Sequence, residues 1–125
     1  MVELNEKAIA WLSTTAVSFA ANGQTTLYTV PSGKRCILHS AVIIAAADAG
    51  TTTATIGQVG ALTDFVPANT LSSLDAQYDS VRLQPVPNTT PLKNKSYPSG
   101  TVIQIDVGAN AGAAGNIVML FGTLY

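Results

Sequence analysis

Turn-forming residues break this chain at intervals too short for most helices. Asn22-Gly23, Pro31-Ser32-Gly33, Asp48-Ala49-Gly50 and the stretch "GANAGAAG" (Gly108 to Gly115) interrupt runs rich in Thr, Val and Ile. Runs of this length suit β-strands, and turns at this spacing predict about eight of them in an all-β fold. The expected architecture is an antiparallel β-sandwich, jelly-roll-like in its turn spacing.

The strands differ in how plainly they read. Thr15, Val17 and Phe19 alternate with smaller or polar residues, and Asn22-Gly23 predicts a hairpin return over Thr25 to Val30. Pro31 presets φ and Gly33 permits positive φ, so Pro31-Ser32-Gly33 reads as a turn. The next strand, Arg35 to about Ala46, is apolar on both faces. Its even positions (Cys36, Leu38, Ser40, Val42, Ile44) form the more apolar face, and its odd positions (Arg35, Ile37, His39, Ala41, Ile43) the mixed one. Such a strand is central in the fold or covered by another subunit.

Thr52 to Val59 reads as a Thr/Ala-rich strand, whereas Gly60 to Ser80 has Pro67 and no sustained period. Val81 and Leu83 resume alternation against Arg82 and Gln84. Pro85, Pro87, Pro91 and Pro98 then mark a long loop. In Thr101 to Val107, Ile103, Ile105 and Val107 are expected inward, and Val102, Gln104 and Asp106 outward. "GANAGAAG" reads as a hairpin loop, and Ile117 to Tyr125 as a final strand apolar on both faces.

The first dozen residues follow another rule. Leu4, Ala8, Trp11 and Leu12 fall on one face of a short helix, which is too short to persist undocked. We therefore divide the chain into an N-terminal arm, helical or extended, over residues 1–12, and one sandwich domain over 13–125. The arm either packs on its own domain or grips a neighbour.

Composition narrows the function. Charged residues are 10% of the 125, against about 25% in ordinary soluble domains, and 47% are hydrophobic. A surface so poor in charge repels its own copies and its partners weakly, which suits permanent assembly. Six scattered Lys and Arg with a net charge of −1 provide no basic stripe for nucleic acid. No apolar stretch is long enough for a membrane helix, and Glu3 and Glu6 have the wrong sign for the start of a signal peptide.

The chemistry-bearing residues are sparse. His39 is the only histidine and Cys36 the only cysteine. Strict alternation would point His39 and Ser40 to opposite faces, which separates the base from its nearest hydroxyl. Cys36 and His39 alone are too few for a zinc site, so Cys36 reads as a small buried hydrophobe. Asp64, Asp75 and Asp79 lack the glycine-turned loop and terminal Glu of a calcium-binding EF-hand. The glycines of "GANAGAAG" miss the dinucleotide spacing, and a strand-like run follows them where a phosphate site needs a helix. We expect no enzyme, no metal and no cofactor. Tyr78 and Tyr97 are the aromatic residues expected on loops.

One segment, "TTLYTVPSGKRCILHSAVI" (Thr25 to Ile43), resembles a segment of small virion proteins of tailed bacteriophages, in which a Tyr-Thr-Val-Pro-x-Gly-Lys turn joins two strands. The low charge and the Ala/Thr/Gly-rich strands are similar in style to capsid decoration, or cement, proteins. That resemblance implies a jelly-roll or related sandwich, often a homotrimer, made in the host cytoplasm and seated on the capsid of the virion between major capsid protein subunits. It implies no catalytic residues, and neither nucleic acid nor membrane is an expected partner. The same turn occurs in tail and fibre modules, so the alternative is a β-sandwich that binds host-surface carbohydrate or a tail partner. The partner-binding candidates are Leu4, Ala8, Trp11 and Leu12 on the arm, with Ile37, His39 and Tyr125 on the apolar strands.

Overall fold

The computed structural model describes residues 9–85, 94–109 and 112–125, and they are all-β. In chain order the strands are β1 (Ala10–Val17), β2 (Gly23–Thr29), β3 (Cys36–Ile44), β4 (Thr53–Gln58), β5 (Ala61–Thr70), β6 (Ser80–Leu83), β7 (Ser96–Tyr97), β8 (Val102–Gly108) and β9 (Asn116–Leu124). One sheet has the order β1-β9-β3-β6, with the short β7 also paired to β3; the other has the order β2-β8-β4-β5. Every pairing is antiparallel.

The partners nest: β1 pairs β9, β2 pairs β8, β3 pairs β6 and β4 pairs β5. This is one long hairpin rolled up so that the chain passes repeatedly between the two sheets, with only β4–β5 and β6–β7 consecutive within one sheet, the jelly-roll connectivity. The rolled form corrects two expectations. Asn22-Gly23 does not close a hairpin, because β1 and β2 lie in different sheets. Gly108–Gly115 likewise carries the chain from β8 in one sheet to β9 in the other. The Pro31-Ser32-Gly33 turn does form, with the Lys34 N–H on the Pro31 carbonyl at 3.2 Å and Gly33 at φ 77°, and it too crosses between sheets.

The core lies between the sheets. Leu38, Ala41 and Ile43 of β3 and Val118 and Leu120 of β9 meet Ile56 of β4 and Ile103 and Ile105 of β8, all buried. β8 alternates as expected, with Ile103, Ile105 and Val107 inward. The irregular region contains a long strand, β5, on the sheet edge, where Pro67 costs no ladder bond. Register shifts against β4 hide its period.

The N-terminal boundary is also corrected. Trp11 and Leu12 are not on a helix; they belong to β1, with Trp11 opposite Phe121. Strand β1 of the sandwich therefore includes residues 10–12, which the helical spacing places in the arm. Leu4 and Ala8 lie outside the described residues.

Candidate functional site

The outer face of the β1-β9-β3-β6 sheet carries the most unusual surface. Register sets its rows: Trp11, Phe121 and Ser40; then Thr14, Met119, Val42 and Arg82; then Ala16, Ile117, Ile44 and Ser80. Val42, Ile44, Ile117, Met119 and Phe121 are only partly covered. Trp11 is 62% exposed, its indole N–H held along β1 by the Ser13 carbonyl at 2.9 Å and Thr14 Oγ1 at 2.8 Å. Arg82 is the only Lys, Arg, Asp or Glu in the strands of this sheet.

Two bulges shape this face. The register between β1 and β9 shifts at Leu12, and that between β3 and β9 shifts at His39. Both flank Phe121 of the intervening β9, the first between Phe121 and Leu120 and the second between Gly122 and Phe121. A bulge adds a residue to one strand and bends it locally. Gly122 fits because a Cβ there would stand 2.9 Å from Leu12 Cδ1 and crowd the Ile37 carbonyl.

The β3 bulge overturns the alternation expected for that strand. Cys36, Leu38, Ala41 and Ile43 are buried, while Ile37, His39, Ser40, Val42 and Ile44 are partly exposed. His39 and Ser40 therefore share a wall, contrary to the sequence expectation. With Val42, Arg82, Gln84 and Phe121 they line a cavity of about 470 Å³ on the outer face, to which Ile9, Pro85 and Asn94 also contribute. His39 Nε2 lies 3.0 Å from Thr123 Oγ1. Among the described residues no acidic side chain lines the cavity.

The remaining candidate residues are dispersed. Cys36 is fully buried on the core side, and burial pushes its thiol up to about 11, away from thiolate chemistry. Ile37 lies beside Thr123 and Ser96 in register. Tyr125 closes the end of the sheet: it exchanges backbone bonds with Arg35, and its hydroxyl meets Ser96 Oγ at 2.7 Å.

Tyr97, expected on a loop, is fully buried, while Tyr78 is 78% exposed. Among the described residues no group of three or more His, Cys, Asp or Glu could hold a metal ion. Asp79 Oδ2 accepts the backbone N–H groups of Asp75 and Ala76, and its nearness raises the pKa of Asp75.

Sequence reasoning missed two polar centres. Asp64 accepts from Tyr97 Oη at 2.9 Å, Lys95 Nζ at 2.7 Å and Gln58 Nε2 at 2.7 Å, plus the Gln58 backbone at 3.3 Å. Burial alone would raise the Asp64 pKa, but the bonds from Lys95, Gln58 and Tyr97 hold it below the usual carboxylate value. Gly57 leaves room for this cluster, since a Cβ there would stand 2.9 Å from Asp64 Oδ1. The second centre is Asn116, fully buried. It donates to the Val17 and Ala113 carbonyls at 3.0 and 2.6 Å and accepts from the Ala46 N–H at 2.9 Å. Both centres satisfy the groups they bury, so they act as structural ties.

Comparison with protein families, curated proteins and solved structures finds no match to this chain.

Proposed function

We propose that this chain is a structural virion protein that decorates a phage capsid and stabilises it by binding between major capsid subunits. The observation that carries this reading is the apolar, nearly charge-free outer face of the β1-β9-β3-β6 sheet. Water contact at Val42, Ile44, Ile117, Met119 and Phe121 is unfavourable, and the sandwich core is complete without covering them. The resemblance at Thr25 to Ile43 supports a phage virion as the place where such a face is covered. Arrayed copies attach strongly through modest individual contacts, because tethering raises effective concentration. A homotrimer suits this attachment, with sedimentation at micromolar concentration as its test. The role itself is tested by fractionating purified particles into heads and tails and mapping the protein by electron microscopy. Density on the head between capsid subunits is expected. Recovery with tails alone would assign the tail or fibre role, and absence from particles would end the virion reading.

A further inference from the structure

The cavity at the bulged end of the apolar face carries an inference about the partner's chemistry. We infer that it is a socket for an acidic side chain flanked by apolar residues on the partner protein, with Arg82 receiving the carboxylate. The inference rests on the decoration reading.

Arg82 is exposed, and among the described residues no hydrogen bond or ion pair engages its guanidinium. A free guanidinium offers a planar fork of donors that matches a carboxylate with two parallel bonds. Val42 lies beside Arg82 in register, and Phe121 forms another wall of the same cavity. An acid arriving there is shielded from water on one side, which strengthens its attraction to Arg82. Ser40 and Gln84 can bond whatever oxygen Arg82 leaves over. With no acidic group among the described lining residues, a cationic ligand finds no counter-charge there.

The surroundings favour a protein over a free sugar. Val42 in the lining also belongs to the apolar rows beyond, Val42 with Met119 and Ile44 with Ile117. A saccharide filling the cavity would leave those rows wet, whereas a protein surface covers both. Among the described residues Arg82 is also the only fixed charge in the strands of this face, so one well-placed carboxylate completes its electrostatics.

The test uses the full chain and purified capsids stripped of it. Arg82→Glu should weaken co-sedimentation at least tenfold while circular dichroism stays unchanged, since the side chain is exposed and unpaired. Arg82→Lys should weaken binding less than Arg82→Glu does, since it keeps the charge but not the fork, and give a new zero-length carbodiimide cross-link from position 82 to an Asp or Glu of the capsid. Normal binding by Arg82→Glu would overturn the socket and leave the decoration reading standing. A cross-link to Glu3, Glu6 or any other acid of this chain would also overturn it, in favour of self-association. Loss of binding to free glucuronate, with no cross-link to protein, would overturn it in favour of a glycan. Failure of the unmodified chain to bind capsids would remove the decoration reading, and the socket with it.

Discussion

On the outer face of β2 and β8, Gln24 bonds Asp106 at 3.1 Å and Gln104 bonds Thr26 at 3.2 Å, so polar side chains tie the strands and meet water. On the outer face of β3 and β9, the corresponding rows hold Val42 against Met119 and Ile44 against Ile117. Inside, the two sheets are alike: Ala41, Ile43, Val118 and Leu120 on one side face the same core as Ile56, Ile103 and Ile105 on the other. Folding explains the inner faces and the polar outer face. It does not explain the apolar outer face, which stabilises nothing within the described residues beyond its own neighbours. The difference between the outer faces is therefore where function leaves its mark.

The sharpest way to break that comparison is to exchange the character of the two faces. Met119→Lys places a charge in the middle of the apolar rows, and Gln104→Lys does the same on the polar face. If the apolar face docks, Met119→Lys should cost about 3 kcal/mol of capsid binding, roughly a hundredfold. Gln104→Lys should change it less than about threefold, and neither variant should lower the melting temperature much, because surface changes usually stay within about 0.5 kcal/mol. Co-sedimentation with stripped capsids gives the binding; calorimetry gives the melting. Equal effects from the two lysines would erase the distinction between the faces.

Next in size is a change to the fold itself, made at the start of β9 in the apolar sheet. Asn116→Ala leaves the Val17 carbonyl and the Ala46 N–H without their bonds inside the protein. Unsatisfied buried groups cost about 1–3 kcal/mol each, partly recovered if water enters, so a loss of about 2–3 kcal/mol is expected in urea unfolding. Docking measured on the folded fraction should stay near that of the unmodified chain. This separates a residue that holds the sheet from those that present its face.

The contrast between the faces was only half legible in the sequence. β8 announced itself, because Ile103, Ile105 and Val107 alternate without interruption against Val102, Gln104 and Asp106. β3 also announced a strand apolar on both sides, yet its faces were assigned wrongly beyond Leu38. A bulge at His39 exchanges odd and even positions, and nothing local in "LHSAV" marks it, since the cause is the contact with Gly122 across the sheet. Trp11 and Leu12 fit a helical spacing with Leu4 and Ala8, but adjacent apolar residues at a bulged strand end give the same spacing. Turn residues at Asn22-Gly23 and Gly108 correctly ended strands without telling which sheet came next. The Asp64 cluster joins residues 6, 31 and 33 positions away, a separation that no local pattern encodes.

The Asp64 cluster joins β5 of the other sheet to Tyr97 of β7 and predicts a pH signature. Its carboxyl has a folded-state pKa below the unfolded value of 3.8. A depressed pKa stabilises the fold at pH above the unfolded value, and the contribution is lost as pH falls through the folded pKa. Acid unfolding should therefore steepen below about pH 4, in the sense that linkage gives a group held charged by its partners. Asp64→Asn should cost about 1–2 kcal/mol at pH 7, in line with hydrogen bonds to a charged group, and should flatten that acid limb. Urea unfolding from pH 7 to pH 3 measures both. An unchanged acid limb would assign it to other carboxylates.

The smallest expected effect asks whether the polar outer face contributes stability or only solubility. Thr55 lies on that face opposite Asp106, yet its Oγ1 is buried and has no hydrogen-bond partner among the described residues. Replacing it with valine keeps the shape and the β-branching that a strand favours, and removes an unpaired hydroxyl. Thr55→Val should therefore leave stability unchanged or raise it by up to about 1 kcal/mol, where most substitutions lower it. The same change adds a methyl to a face otherwise held wet by Gln24, Thr26, Gln104 and Asp106, too little to make a docking surface. Capsid binding should stay the same. Thermal melting with co-sedimentation decides the matter: a clear loss of stability would mean that Thr55 is satisfied by water and that this face is ordered by its polar contacts. A gain in binding would mean that even one apolar group there suffices for docking, and the two faces would then differ in degree and not in kind.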